Sequence, residues 1–172
     1  MPQREGETEY KYEDYSSRVA ANRLPQTEAL VNQSLEITLD SGASFGLAFA
    51  DRNEVVWQSG SERGTDWCEV VEVAPQTYFI DLTFADRPRE SQTFVVNRQT
   101  RQVLGIRTTL REGAVGSEPR AVQTFSPGVL GDPETPPTGH KPAPTRDLIG
   151  LRGLYDYGPE QGNEHVYLSA ER

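Results

Sequence analysis

The sequence has little of the chemistry that supports disulfides, metal sites or nucleophilic catalysis. Cys68 is the only cysteine, so an internal disulfide and a cysteine-based metal site are excluded. Asp66 and Glu69 lie near it and bring no positive charge that would activate the thiol, which we interpret as a buried structural group. The two histidines, His140 and His165, are far apart, and no nucleotide-binding glycine loop or nucleophile elbow occurs. We therefore expect no metal and no cofactor.

Positive charge and long apolar runs are also scarce. Lys and Arg together number 17 against 26 Asp and Glu, which gives a formal net charge of −9, and lysine occurs only at Lys11 and Lys141. Nucleic acid and anionic membranes would be repelled without a basic cluster. No segment approaches the roughly 20 apolar residues that span a bilayer, and the N-terminus lacks the apolar run of a signal peptide. We expect a cytoplasmic protein that binds neither nucleic acid nor membrane.

The chain length suits one domain, and its composition changes three times along the sequence. Residues 1–33 are predicted to be a polar arm with a short helix near residues 27–31. Residues 34–111 carry the alternating pattern of a β-meander. Residues 112–146 are rich in Pro and Gly and are expected to form a long, disordered loop. Residues 147–172 are predicted to form a terminal β-hairpin.

The meander follows from strict alternation of apolar and polar residues. Leu35, Ile37 and Leu39 alternate with polar side chains, and the turn at Ser41-Gly42 leads into a second alternating run. Seven short strands follow one another in this way, and tight turns require sequence neighbours to pair antiparallel. A seven-stranded meander leaves two edges exposed. We expect the terminal hairpin to complete the barrel or to pair with a partner subunit.

Two stretches resemble a known family. Residues 69–81 (EVVEVAPQTYFID) resemble the first domain of the molybdenum cofactor biosynthesis protein F (MoaF) family. Residues 147–157 (DLIGLRGLYDY) and 164–168 (EHVYL) resemble the segment that opens its second domain. The resemblance implies an all-β fold, an antiparallel calycin- or lipocalin-like β-barrel with the long Pro/Gly-rich loop. It also implies that a function residing in the second barrel would be absent or rebuilt by dimerisation, because the sequence given stops at Arg172.

Two carboxylates in the meander are candidate catalytic groups. One face of the strand near residues 78–84 carries Phe79 and Asp81, and the alternation does not decide which face is internal. If Phe79 points inward, Asp81 does too, and burial would raise the pKa of that carboxyl into the range of a general acid or base. Glu69 shares a face with Trp67 and Val71 and poses the same question. The alternative for Asp81 and Glu69 is a solvated strand residue.

Further candidates come from the hairpin and from two other strands. His165 and Tyr167 share a strand face, and Tyr155 lies in the facing strand, so His165 is a catalytic candidate and both tyrosines are substrate-binding candidates. The alternative for them is surface hydrogen bonding or structural packing. Arg107 would hold a substrate carboxylate if it pointed inward, although we expect it to point outward. Trp57 and Phe79 complete the substrate-binding candidates, with a core role as the alternative for Trp57.

Three functions stay open at this point. The first is a cofactor-independent enzyme of the isomerase, cyclase or lyase type that acts on a small organic molecule in the barrel cup. The second is a non-catalytic, lipocalin-like binding or carrier protein of the MoaF type. The third is an assembly partner that forms a homodimer through the long loop and the hairpin. We place the enzyme first.

Overall fold

The structure, a computed structural model, describes residues 24–112, 120–158 and 161–168. Within these ranges it is all-β, and they contain no helix. Ten strands follow one another along the chain: β1 Ser34–Leu39, β2 Ser44–Asp51, β3 Glu54–Ser59, β4 Glu62–Ala74, β5 Thr77–Thr83, β6 Glu90–Asn97, β7 Gln102–Leu110, β8 Ala121–Leu130, β9 Arg152–Gly158 and β10 Gln161–Val166.

Strands β1 to β8 form a closed antiparallel barrel in simple sequence order. Short turns connect the first seven strands, and Gly42 and Gly60 take positive φ angles of 88° and 59° in two of them, a conformation that glycine adopts without steric cost. The ring closes where β8 pairs with β1, with Leu130 opposite Ile37. The predicted all-β, antiparallel barrel is confirmed.

Alternate residues of the strands fill the interior. Side chains that are at most 1% exposed come from each of the strands β1 to β7 and from a turn ahead of β1, and they include Leu30, Ile37, Leu47, Val55, Cys68, Ile80, Leu82, Phe94, Val96 and Val103. They form a single apolar cluster. Burial of this much apolar surface is the main favourable term in folding, at about 25 cal/mol per Å². Most of the barrel interior is therefore packed core.

The eighth strand lies inside residues 112–146, which we expected to form a loop without strands. β8 runs from Ala121 to Leu130 and pairs with β7 along its length, with Pro127 opposite Leu104. A proline in a ladder loses only its donor, and the Pro127 carbonyl still accepts a hydrogen bond of 2.8 Å from the Asp40 amide. β8, and not the terminal hairpin, closes the barrel on β1.

The chain after β8 is held against the barrel by one arginine. The Arg101 guanidinium donates hydrogen bonds to the carbonyl oxygens of Leu130 at 2.7 Å, Asp132 at 2.6 Å and Thr135 at 3.0 Å. Arg101 itself takes a positive φ of 63°, which is uncommon for a residue with a side chain. The stretch that follows β8 is therefore ordered by specific hydrogen bonds to the turn between β6 and β7.

The end of the barrel at which β1 begins is covered. Residues 29–32 form a turn and not the predicted short helix, and Leu30 in this turn is 1% exposed within the core cluster. The Asn32 amide donates to the Phe49 carbonyl at 2.8 Å and so fixes the turn to the end of β2. Most of the predicted polar arm lies outside the described residues. Over the described ranges, no helix has the length and apolar character needed to cross a membrane.

Residues 24–143 form one compact unit, and the described residues from Pro144 onward belong to another. In that second unit β9 and β10 pair antiparallel as a two-stranded sheet, with Tyr155 opposite Asn163 and Gly153 opposite His165. The hairpin predicted near residues 147–172 is present. Its second strand begins at Gln161, because Gly162 and Asn163 pair in the ladder although neither is apolar.

Candidate functional site

A cleft opens at the barrel end opposite the covered one. It has a volume of ≈ 360 Å³, and its walls come from the turns β1–β2, β3–β4 and β5–β6 and from the inner face of β6 and β7. We call this cleft the cup. Its lining residues are Ala43, Phe45, Trp57, Ser59, Gly60, Ser61, Glu62, Phe84, Arg87, Glu90, Gln92 and Arg107.

Two aromatic pairs make up the apolar part of the cup. Phe45 meets Phe94 edge to face, with ring centroids 5.0 Å apart, and Trp57 meets Phe84 in the same way at 5.1 Å. Such pairs are worth about 0.5–1.5 kcal/mol beyond the burial of their surface. Phe94 is fully buried beneath the cup, so the cup stands directly on the packed core. The sequence candidate Trp57 thus serves both core and cup.

The orientation of Trp57 is fixed by a carboxylate on the neighbouring strand. The Trp57 indole Nε1–H donates to Oδ2 of Asp66 at 2.8 Å, and Oδ1 of Asp66 accepts a hydrogen bond of 2.9 Å from the Ala85 amide. Gly64 lies beneath the indole, where a Cβ would come within 2.9 Å of Nε1. Gly64 and Asp66 together let the indole lie flat at the edge of the cup and keep it there.

Arg87, in the turn between β5 and β6, covers the aromatic rings. Its guanidinium carbon lies 4.2 Å from the Phe84 ring centroid and 5.4 Å from that of Trp57, which are cation–π distances. Its Nη1 lies 3.2 Å from Oε2 of Glu62 and 3.8 Å from Oε2 of Glu90. The side chain is 29% exposed, so Arg87 forms part of the wall and is held from both sides.

Arg107 lies on the inner side of β7, contrary to our expectation that it points outward. It shares its face with Val103 and Gly105, which are buried in the barrel, and its cross-strand partner Gln92 is 5% exposed and lines the cup. The Arg107 Nη2 donates to Oε2 of Glu90 at 2.9 Å, and 61% of the side chain is exposed. Arg107 is therefore a rim residue whose guanidinium is open to solvent and to a ligand.

Asp81, Glu69 and Phe79 lie outside the cup. The buried face of β5 carries Tyr78, Ile80 and Leu82, so Asp81 and Phe79 are on the outer face, where Phe79 is 38% exposed. Asp81 accepts a hydrogen bond of 2.7 Å from the Thr93 hydroxyl. The condition for an inward Asp81 is not met, because three large apolar residues of β5 occupy the inner face.

Glu69 pairs directly with Asp81 across β4 and β5 and lies on the same outer face. It is only 7% exposed, because the segment ahead of β1 crosses it: Gln26 Nε2 donates to Oε1 of Glu69 at 3.1 Å, and Gln26 also bridges to Val71. Glu69 is buried under this segment and away from the cup.

The hairpin brings three candidates together within its own unit. The Tyr155 and His165 rings are 4.6 Å apart between centroids, and the hydroxyl oxygens of Tyr155 and Tyr167 are 3.5 Å apart. The hydrogen bond to Tyr167, the electrostatic interaction with it and desolvation together raise the pKa of Tyr155 above its usual value. His165 and the two tyrosines therefore form one exposed cluster.

Sequence reasoning missed Phe84, Arg87, Glu90 and Gln92 as residues of a site. Three of them lie in or beside the turn between β5 and β6, and nothing in a turn sequence indicates that its side chains fold over a neighbouring aromatic pair. No group of three or more His, Cys, Asp and Glu side chains in the described part of the chain is arranged to hold a metal.

The comparison with protein families decides which fold family this barrel represents. The MoaF N-terminal domain matches residues 10–112, and the MoaF C-terminal domain matches residues 142–172. The chain belongs to the MoaF family. The resemblance carried by residues 69–81 and 147–168 is thereby confirmed. The MoaF N-terminal domain match covers β1 to β7, including every cup residue, and the MoaF C-terminal domain match covers the hairpin.

Comparisons beyond the family add little about this MoaF chain. No curated protein is similar in sequence. One similar solved structure is that of a candidate beta-lactamase from Burkholderia vietnamiensis, with 18% identity over 63% of this chain and 96% of that one and a TM-score of 0.44. No inference about activity follows from a likeness of that strength.

Proposed function

We propose that this MoaF-family barrel binds a small organic molecule in the cup. The observation that carries the proposal is a single concave site that joins an aromatic floor to a rim of charged groups. Phe45, Trp57 and Phe84 supply the apolar surface, and Arg87 and Arg107 supply charge-assisted donors. The volume of ≈ 360 Å³ falls in the range of about 300–1,000 Å³ that is typical of ligand pockets.

The packed interior limits how deep such a ligand can sit. Phe94, Ile80 and Leu82 are fully buried below the cup, so the ligand would occupy the mouth and not the centre of the barrel. A second cleft of ≈ 610 Å³ shares Trp57, Ser61, Glu62 and Arg87 with the cup. Arg87 lines both clefts, and a ligand larger than the cup would extend past it into the second one.

A catalytic role is the second candidate, and the carboxylates of the cup favour it. Glu90 and Glu62 line the cup, whereas Asp81 lies on the outer face. An isomerase, cyclase or lyase reaction by acid–base catalysis would therefore use Glu90 or Glu62 and not Asp81. Once the ligand is known, its conversion should be abolished in Glu90→Gln or in Glu62→Gln. The Asp81→Asn variant should stay active. Conversion that survives in Glu90→Gln and Glu62→Gln would refute catalysis by these groups.

An assembly role is favoured by the exposed apolar residues of the hairpin. Leu154 is 79% exposed and Leu168 is 81% exposed, and large exposed apolar side chains favour burial against a second surface. We propose a homodimer through this hairpin as the corresponding arrangement. Sedimentation of the wild type as a dimer and of a Leu154→Ser, Leu168→Ser variant as a monomer would support it, and a monomeric wild type would refute it.

The experiment that tests the binding proposal is native mass spectrometry of freshly purified protein, followed by denaturation and identification of released small molecules. Ala43→Phe places a ring in the cup, and Ala48→Phe places the same ring on the exposed outer face of β2 as the matched control. We expect a ligand on the wild type and on Ala48→Phe and none on Ala43→Phe. Equal loading of the two variants would refute binding in the cup.

A further inference from the structure

The rim of the cup brings two guanidinium groups to one point. Nη2 of Arg107 and Nη1 of Arg87 lie 2.9 Å and 3.8 Å from the same oxygen, Oε2 of Glu90. The two arginines come from different elements, β7 and the β5–β6 turn. Guanidinium groups repel one another unless an anion lies between them, and here that anion is the Glu90 carboxylate, which therefore holds both arginines at the rim.

Arg87 has donor capacity that the chain does not use. Its Nε is buried and makes no hydrogen bond within the described part of the chain, and Oδ1 of Asp86 lies 3.5 Å from it. A buried donor without an acceptor costs about 1–3 kcal/mol, so a ligand oxyanion that draws the guanidinium towards the cup and exposes this donor would recover that cost. Arg107 adds further donors, because 61% of its side chain is exposed and, among the residues that the structure describes, Glu90 is the one carboxylate that it pairs with.

The same spot adjoins the apolar floor. Arg87 touches the Phe84 and Trp57 rings, and Arg107 is the cross-strand partner of Gln92 at the cup wall. A ligand that fills the cup would therefore lay its apolar part on Phe45, Trp57 and Phe84 and bring a polar end to the two arginines.

We propose that the ligand of the cup is a small apolar acid, an aromatic or alicyclic carboxylate whose oxyanion is bound by Arg87 and Arg107. The inference rests on the proposed function and names its ligand class. A cationic ligand is disfavoured, because the aromatic faces that would receive it already carry the Arg87 guanidinium. A phosphate ester shares the oxyanion chemistry, and the experiment separates it from a carboxylate.

The experiment is calorimetric titration of the full chain with three probes of the same size class: 1-naphthoate, its neutral isostere 1-naphthamide and 1-naphthyl phosphate. Each is titrated into the wild type, Arg107→Gln and Arg98→Gln. Arg98 is an exposed arginine in the turn between β6 and β7, at the covered end of the barrel, and is the matched control. A circular dichroism spectrum checks that all three proteins are folded.

We expect naphthoate to bind the wild type at least tenfold more tightly than naphthamide, and this preference to fall by about tenfold in Arg107→Gln and to persist in Arg98→Gln. Equal binding of naphthoate and naphthamide would overturn the acid proposal and leave the cup as a binding site. Preferred binding of the phosphate would overturn the carboxylate assignment. Failure of all three probes, together with no released ligand from the purified protein, would overturn the proposed function itself.

Discussion

Because β8 closes the barrel against β1, we predict that adding one methyl group at Gly128 of β8 strongly destabilises the fold. Gly128 is buried in β8 and faces Leu39 of β1 and Val103 of β7. A Cβ built on Gly128 would fall against the carbonyl oxygen of Thr38, with Leu39 Cδ2 at 2.8 Å and Leu39 Cα at 3.0 Å. Two of these three atoms belong to the backbone, so Gly128→Ala cannot be accommodated by a side-chain rotation.

The expected cost follows from which atoms must move. Overpacking of a core costs about 1–3 kcal/mol. Because β8 and β1 pair over only three residues, a shift of Thr38 would also weaken the hydrogen bonds of this short seam, at about 1 kcal/mol each. We expect Gly128→Ala to lower the free energy of unfolding by about 3 kcal/mol. Gly105→Ala is the matched control, since its Cβ meets only side-chain atoms, Leu39 Cδ1 at 2.8 Å being the nearest, and we expect about 1 kcal/mol.

Urea denaturation followed by intrinsic fluorescence measures both values. With an m value of about 2 kcal/mol/M, Gly128→Ala should lower the midpoint by ~1.5 M and Gly105→Ala by ~0.5 M. A Gly128→Ala midpoint that equals or exceeds that of Gly105→Ala would show that β8 does not close against the β1 backbone as described.

Three further predictions concern residues away from the cup. Arg101→Gln should release the stretch after β8, because three carbonyl hydrogen bonds are lost, and limited proteolysis should then cut near residues 132–138; unchanged digestion would contradict it. Asp81→Asn should change ligand loading by less than twofold, as native mass spectrometry can check, and lost loading would place Asp81 in the site after all. Urea melts should show a loss of at most about 1 kcal/mol of stability, through the hydrogen bond to Thr93. Burial raises the pKa of the Cys68 thiol from 9.0 to about 11. As pH rises from about 9 to 11, the unfolded chain therefore loses this proton before the folded chain does, and the free energy of unfolding should fall. In urea melts at several pH values, Cys68→Ala should lack this fall, and an identical fall in the variant would contradict the assignment.

The seven strands of the meander could be predicted because each carries a local signal. Leu35, Ile37 and Leu39 alternate with polar residues, and in the structure all three side chains are buried on one face of β1. β8 carries no such signal, because Pro127 and Gly128 interrupt it. Gly128 is required by the close approach of Thr38 and Leu39, a non-local contact that alternation within one strand cannot show.

The sequence allows the inner face to be predicted for β5 but not for β7. On β5 the three apolar residues at even positions outweigh Phe79, and weighing the two faces would have placed Asp81 outside. On β7 the inner face carries Gly105 and Arg107, which look like a solvent face. The Leu39 side chain of β1 occupies the space above Gly105, so this part of the interior is filled from β1 and Arg107 is left at the rim. Arg87 was hidden for a related reason, because its ring contacts form only in the folded barrel.

The most direct test of a ligand site in the cup uses the two tryptophans of the chain. Trp57 lines the cup, and Trp67 is 43% exposed on the outer face of β4, so a ¹H–¹⁵N spectrum gives one indole signal inside the site and one outside it. During a titration with 1-naphthoate we expect the Trp57 indole signal to shift in a saturable manner while that of Trp67 stays within a small fraction of that shift. Assignment follows from Trp67→Phe, which removes one signal and leaves the cup intact. A saturable shift of Trp67 with Trp57 unchanged would contradict ligand binding in the cup.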